Sequence, residues 1–329
     1  MEKVKRKSKL FENLGSANTE SKFAELKNKF SKYDEEYLSI ATDSSRSEEK
    51  KWMEELWQKC ESYLDTNFLD EFKLKTGYLN RSWELYLGAT LLNRGFKLGK
   101  HSDADPDFDL LNKEGKRIAW IEAVAPEKGN GKDRVSNNLK SGTSGILPEE
   151  KMLLHITGVF NDKFEEYKKY LKNNKVNDQE PYVIAINCSN FSRPDPGIPL
   201  ILMALFGIGD LGVRIPIRHS DARHESSEWF WSHRPEIRKN NNTDIPMLIF
   251  RDRTYAGISA VIYCKSYILN CRKSQEKMGE NFIVAHNHLA NNHLPDGFFP
   301  FGDEYKDKEI GDSVVRIHER KKRNKSDLF

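Results

Sequence analysis

Asp105-Pro106-Asp107-Phe108-Asp109, followed by Ile121-Glu122-Ala123-Val124, is the stretch on which the architecture turns. Apolar residues alternate up to Leu111 and again from Ile118, the period of half-buried strands. Between the two runs lies Asn112-Lys113-Glu114-Gly115-Lys116, a polar turn whose glycine takes a positive φ without steric cost. The pattern predicts a β-hairpin. With Glu114-Gly115 at its tip, Asp107 falls directly opposite Glu122 on one face, with Cβ atoms about 5 Å apart. Two carboxylates that close repel each other unless something positive lies between them. A divalent cation is the simplest answer.

The flanking segments set this hairpin in an α/β frame. Residues 80–96 predict a helix, with Trp83, Leu85, Leu87, Leu91 and Leu92 apolar and Gly95 as its stop. A short first strand is expected near Phe96–Leu98, after which a link carries His101 and Asp103. Beyond the hairpin, Glu127-Lys128-Gly129-Asn130-Gly131-Lys132 reads as a loop, and Leu153 to Leu171 as a charged helix. Pro181 to Cys188 is almost continuously apolar, the mark of a strand covered on both faces. Upstream, 21–32 and 48–66 read as helices separated by the capping cluster Thr42-Asp43-Ser44-Ser45. Downstream, 245–250, 257–264 and 281–285 read as strands. Three segments are expected: a helical extension over 1–77, a core over 78–195, and a C-terminal α/β extension with a basic tail over 196–329.

Residues 78–190 resemble the PD-(D/E)xK nuclease superfamily, the restriction-endonuclease-like fold. Pro106-Asp107 matches the family's PD and Glu122 its second acid. The resemblance implies an αβββαβ core with a central mixed sheet flanked by helices, and metal-dependent hydrolysis of phosphodiester bonds, DNA first among them. It implies Mg²⁺ or Mn²⁺ held by Asp107 and Glu122, with the Ala123 carbonyl as a third oxygen and Glu84 as the extra helix acid. The chain departs from the pattern where the family has lysine two residues after the acid; here stands Val124. Lys163, in Lys163-Phe164-Glu165-Glu166-Tyr167, resembles the start of the family's helix motif and shares a helix face with Tyr167. Lys163 is therefore the expected substitute, with Tyr167 orienting it. Lys128 ranks second, Lys116 third, and Asp109 could assist the acids. The alternative is a catalytically inactive nuclease-like module that binds nucleic acid or a protein partner.

Bulk properties are compatible with both readings. The chain has 329 residues, 31% of them charged, a net charge of +3 and a mean hydropathy of -0.73. A charge so near zero makes any nucleic-acid surface a matter of local clustering; Lys128, Lys132 and Arg234 are the expected contacts. Four cysteines without CxxC spacing fit a reducing, cytoplasmic setting. The longest apolar run, 198–208, is too short to span a bilayer. Nucleases that cut both strands often pair, so a homodimer is compatible with this reading.

Other motifs carry less. His286-Asn287-His288 with His293 has a zinc-like spacing but lacks a full ligand set nearby, so a polar loop is expected. Trp229-Phe230-Trp231, near Arg218, Arg223, His224, His233, Arg234 and Arg238, mixes aromatics with cations, although three adjacent rings cannot all face one side. Gly207-Ile208-Gly209-Asp210-Leu211-Gly212 has the letters of a dinucleotide loop, but Arg214-Ile215-Pro216 follows where a helix would have to start. Cys188 sits in an apolar strand and reads as a buried hydrophobe. The basic tail runs from Arg316 through Arg320-Lys321-Lys322-Arg323 to Lys325.

Overall fold

The computed structural model describes residues 8–99, 104–135, 147–191, 197–215, 228–271, 277–311 and 314–320. His101, Asp103, Arg218, Arg223, His224 and the tail from Lys321 onward lie outside the described residues. Five helices come first: α1 (Glu20–Lys29), α2 (Glu35–Thr42), α3 (Ser47–Cys60), α4 (Phe68–Phe72) and α5 (Tyr78–Asn93). Strands β1 (Lys97–Leu98), β2 (Phe108–Leu111) and β3 (Arg117–Val124) follow, then α6 (Glu149–Lys172) and β4 (Tyr182–Asn187). Next are α7 (Leu200–Phe206), β5 (Ile208–Arg214), β6 (Glu228–His233), β7 (Glu236–Arg238) and β8 (Asp244–Pro246). The last strands are β9 (Ala260–Cys264), β10 (Ile283–His286), β11 (Asp303–Gly311) and β12 (Val314–Arg320).

The molecule is α/β, built on an eight-stranded mixed sheet in the order β1-β2-β3-β4-β9-β10-β11-β12. The expected hairpin is present in the expected register: Phe108 faces Ile121, Asp109 faces Trp120 and Leu110 faces Ala119. A bulge beyond Leu110 takes up the turn, where Gly115 has φ +81°. β1 pairs antiparallel with β2, while β3, β4 and β9 run parallel. The element order from α5 through β4 is therefore helix, three antiparallel strands, helix and parallel strand.

Side-chain alternation in β3 and β4 sorts residues onto two covered faces. Ala119, Ile121, Ala123, Val183 and Ala185 pack on the side of α5; Trp120, Val124, Tyr182, Ile184 and Ile186 pack on the side of α6. Trp83 of α5 donates its indole N–H to the Ala185 carbonyl at 2.9 Å, which ties that helix to β4.

Leu10, Tyr37, Trp57 and Phe68 of the helical extension share one core with α5, Ile262 and Phe282. Several local expectations need correction. Residues 35–42 form α2, which Asp34 caps by accepting from Glu36 N at 2.8 Å. The expected helix over 48–66 stops at Cys60 and continues as a single 3-10 turn. The apolar run from Ile245 makes only the short β8, because Pro246 has no N–H for a ladder, and then a 3-10 turn at Ile249–Arg251. As expected, the glycine motif opens no helix: Gly207, at φ +66°, ends the wholly buried α7 and leads into β5. Among the described residues no helix is long and apolar enough to cross a membrane.

Candidate active site

β3 outruns its partner. β2 begins at Phe108, whereas β3 continues to Val124, so its β2-side edge is open beyond Ile121. Buried backbone N–H groups need acceptors, and side chains supply them here. Ala123 N donates to Asp107 Oδ2 at 2.7 Å, and Ala125 N to Asn80 Oδ1 at 2.6 Å. Because N–H and C=O of one strand residue point the same way, the Ala123 carbonyl also faces this open edge. Asp107 is thus held at the mouth of the hairpin beside Glu122.

Glu122, on the α6 face and 3% exposed, accepts from Lys163 Nζ at 2.7 Å through Oε1 and from the Tyr182 hydroxyl at 3.4 Å through Oε2. Lys163 also pairs with Glu166 at 2.7 Å, one turn along α6. Val124 is buried on the same face as Glu122, against the α6 side of the core. A helix residue, rather than a strand residue, brings the ammonium to the acid. From the opposite side, α5 contributes Glu84, 6% exposed, which is bound by Arg81 at 2.5 Å. Arg81 in turn reaches Asp65 at 2.9 Å and Glu71 at 2.7 Å.

The electrostatics are those of crowded acids in a dry place. Burial, followed by repulsion from Asp107, pushes the Glu122 and Glu84 carboxyls well above the usual range, against the pull of Lys163 and Arg81. Burial likewise raises Asp107, opposed by Lys163, the Ala123 N–H and Arg81. Burial alone would lower the Lys163 ammonium, but Glu122 and Asp107 outweigh it and hold the group above its ordinary value. Lys163 therefore stays charged. Among the described residues the carboxyls of Asp65, Glu84, Asp107 and Glu122 outnumber the cations Lys163 and Arg81 that pair with them.

The donor set suits a hard divalent cation: carboxylate oxygens of Asp107 and Glu122, the Ala123 carbonyl, and Glu84 beside them. As the side chains stand, no three His, Cys, Asp or Glu groups among the described residues meet at the spacing of one metal ion. The fit is one of chemistry and charge.

Other expected residues are placed as follows. Tyr167 does not orient Lys163; its ring packs 4.6 Å from that of Tyr182 and over Gly257. The tyrosine of α6 that feels Glu122 and Asp107 is Tyr170, seven residues from Lys163. Asp109 does not assist the acids, being held by both Nε (2.7 Å) and Nη2 (2.9 Å) of Arg117. Lys116 is exposed at the far hairpin tip. Arg234 is committed to Glu149 at 2.6 Å and Asp210 at 2.8 Å. Lys128 and Lys132 lie on the loop after β3, Lys132 exposed. His286 is buried 3.5 Å from Glu304, away from this site. Sequence reasoning missed Arg81, Asp65, Tyr182 and Glu166. The spacing of Arg81 from Glu84, and of Glu166 from Lys163, was a usable signal; Asp65 and Tyr182 offered none.

Compared with known proteins, the chain matches no family model, no curated protein and no solved structure.

Proposed function

We propose that this protein is a metal-dependent nuclease of the restriction-endonuclease-like, PD-(D/E)xK kind, acting on DNA first among nucleic acids. One observation carries the reading: Lys163 Nζ lies 2.7 Å from Glu122 Oε1, so a lysine accompanies the second acid although Val124 stands at the family's lysine position. The order α5, β1–β3, α6, β4 supports it. Mg²⁺ or Mn²⁺, held by Asp107, Glu122 and the Ala123 carbonyl with Glu84 alongside, would supply charge neutralisation at the phosphate and a water of lowered pKa. Lys163, fixed from both sides by Glu122 and Glu166, opposes the charge that grows on the phosphate. Held fully charged by its acids, it acts as a cation and donor, not as the base.

The test is cleavage of plasmid, linear and single-stranded DNA and of RNA, with Mg²⁺ or Mn²⁺ and with EDTA. We expect metal-dependent cleavage that falls by at least about 10²-fold in Glu122→Gln, which removes the ligand charge at nearly constant volume. Undiminished cleavage in that variant would remove the site assignment. A second reading, an inactive module that binds nucleic acid or protein, draws on the Lys163 ion pair, which already engages a Glu122 oxygen. No cleavage of any substrate would favour it.

Metal binding has a readout apart from activity. A carboxyl whose pKa rises on folding contributes stability that is complete below its unfolded value, 4.5 for Glu and 3.8 for Asp, and lost as pH climbs through its folded value. Ionised Glu84, Asp107 and Glu122 therefore work against the fold near neutrality, and a bound cation relieves them. Adding Mg²⁺ should raise the thermal midpoint more at about pH 8 than at about pH 5, because protons compete with the cation for these acids as pH falls. An equal gain at both pH values would contradict this.

A further inference from the structure

Immediately beyond the acid cluster, at the C-terminal ends of the parallel strands β3 and β4, lies an open cleft of about 860 Å³. Such ends, where neighbouring connections diverge, are where open α/β sheets receive ligands. The wall nearest β3 is the loop over 126–135. Its shape is dictated by Gly129, at φ +71°, where a Cβ would lie 2.2 Å from the His155 ring of α6. His155 Nε2 contacts the Asp133 carbonyl at 3.1 Å, and Asn240 bonds the Asp133 carboxylate, so the loop is pinned from two sides. It presents Lys128 and Arg134 to the cleft.

Among the described residues neither of these cations has an acidic partner. They repel each other instead: burial, then the Arg134 charge, lowers the Lys128 ammonium. Two of the three acids lining the cleft are already committed. Asp34 caps α2, and Glu36 pairs with Arg46 at 2.5 Å, which leaves Glu127 against Lys75, Lys128 and Arg134. The cleft also continues inward. Ser82 Oγ, in a residue 2% exposed, has no hydrogen-bond partner among the described residues and lines a recess of about 10 Å³ that shares Leu79, Ser189 and Tyr267 with the cleft. That space holds one water-sized atom.

We propose that this cleft binds a backbone phosphate of a nucleic-acid strand between Lys128 and Arg134, while the same strand runs on to the acid cluster. The inference rests on the nuclease reading for the strand's destination. Ala125, at the cleft, is three residues beyond Glu122 on one extended segment, about 10 Å away. A free anion would satisfy the cations equally well; the neighbouring acid cluster is what favours a strand that continues past them.

The experiment measures binding without chemistry: fluorescence anisotropy of a labelled single strand in EDTA, over roughly 50 to 200 mM salt. Wild type is compared with the double variant Lys128→Ala/Arg134→Ala and with Lys116→Ala at the remote hairpin tip. Lys128→Gln/Arg134→Gln, which keeps more side-chain bulk, guards against a folding defect, and thermal melts of all proteins accompany the titrations. Loss of both cations at that phosphate should weaken binding by about tenfold or more. It should also flatten the slope of log K against log salt by about 0.7, the value for one neutralised phosphate, with Lys116→Ala unchanged. That result supports the cleft even if wild type cleaves nothing. Wild-type affinity and slope in both double variants would overturn it while leaving any cleavage by the acid cluster intact. Absence of strand binding by wild type, or competition by a nucleoside monophosphate as strong as that by the strand, would overturn it too.

Discussion

Replacing Lys163 by methionine should lower the metal-dependent cleavage proposed above by about 10³-fold, with Lys163→Arg recovering part of the loss. Methionine keeps the length and packing of the side chain and removes only its charge. In the folded protein that charge lies 2.7 Å from Glu122 and 2.7 Å from Glu166, held by the rigid body of α6. Without it no cation among the described residues is bonded to Glu122 to meet the developing charge on a phosphate. The same change should also destabilise the protein near neutrality, by on the order of 3 kcal/mol, because among the described residues Glu122 then keeps a buried charge bonded to the Tyr182 hydroxyl alone. That penalty should shrink in acid, where Glu122 takes a proton. A variant that cleaves within about threefold of wild type would show that Lys163 is a structural ion pair and no more.

Arg81→Met should cost about 3–5 kcal/mol of stability, read as a lower urea midpoint at neutral pH. Arg81 is the cation for Asp65, Glu71 and Glu84 together, and its side chain is only 10% exposed. Its removal leaves the buried Glu84 beside Asp107 without the cation that is bonded to it. The loss should be largest at neutral pH and diminish toward about pH 4 as these acids protonate in the variant. By contrast, breaking the exposed Lys168–Glu165 pair should change stability by less than about 1 kcal/mol. An unchanged urea midpoint in Arg81→Met would mean that the carboxylates around it are neutral or solvated.

Local pattern carried much of this architecture. Period-two alternation and a single glycine placed the β2–β3 hairpin in register, because a one-residue slip would turn Phe108 and Leu110 out of the core. Helical spacing with a glycine stop located α5, and an unbroken apolar run marked β4 as a central strand. Where local signals are ambiguous the reading failed. α2 is short and mostly buried, and a brief apolar run has the same look in a helix or a strand. That α3 packs on α5 was also out of reach, since it depends on contacts between residues distant in the chain.

The acids of the candidate site were legible because hairpin register is a property of neighbours: turn chemistry and side-chain alternation bring Asp107 and Glu122 together over a few residues. The cations were a different matter. Lys163 meets Glu122 across 41 residues, after a crossover that lays α6 on one face of the sheet. Arg81 gathers Asp65 and Glu71 from the preceding segment. Those meetings are set by how helices pack on a sheet, where burial of apolar faces selects one rotation of each helix and carries its charged residues along. Residue type and spacing therefore named Asp107 and Glu122, the helix-motif resemblance singled out Lys163 among three lysines, and packing alone brought Arg81, Asp65 and the cleft beside them.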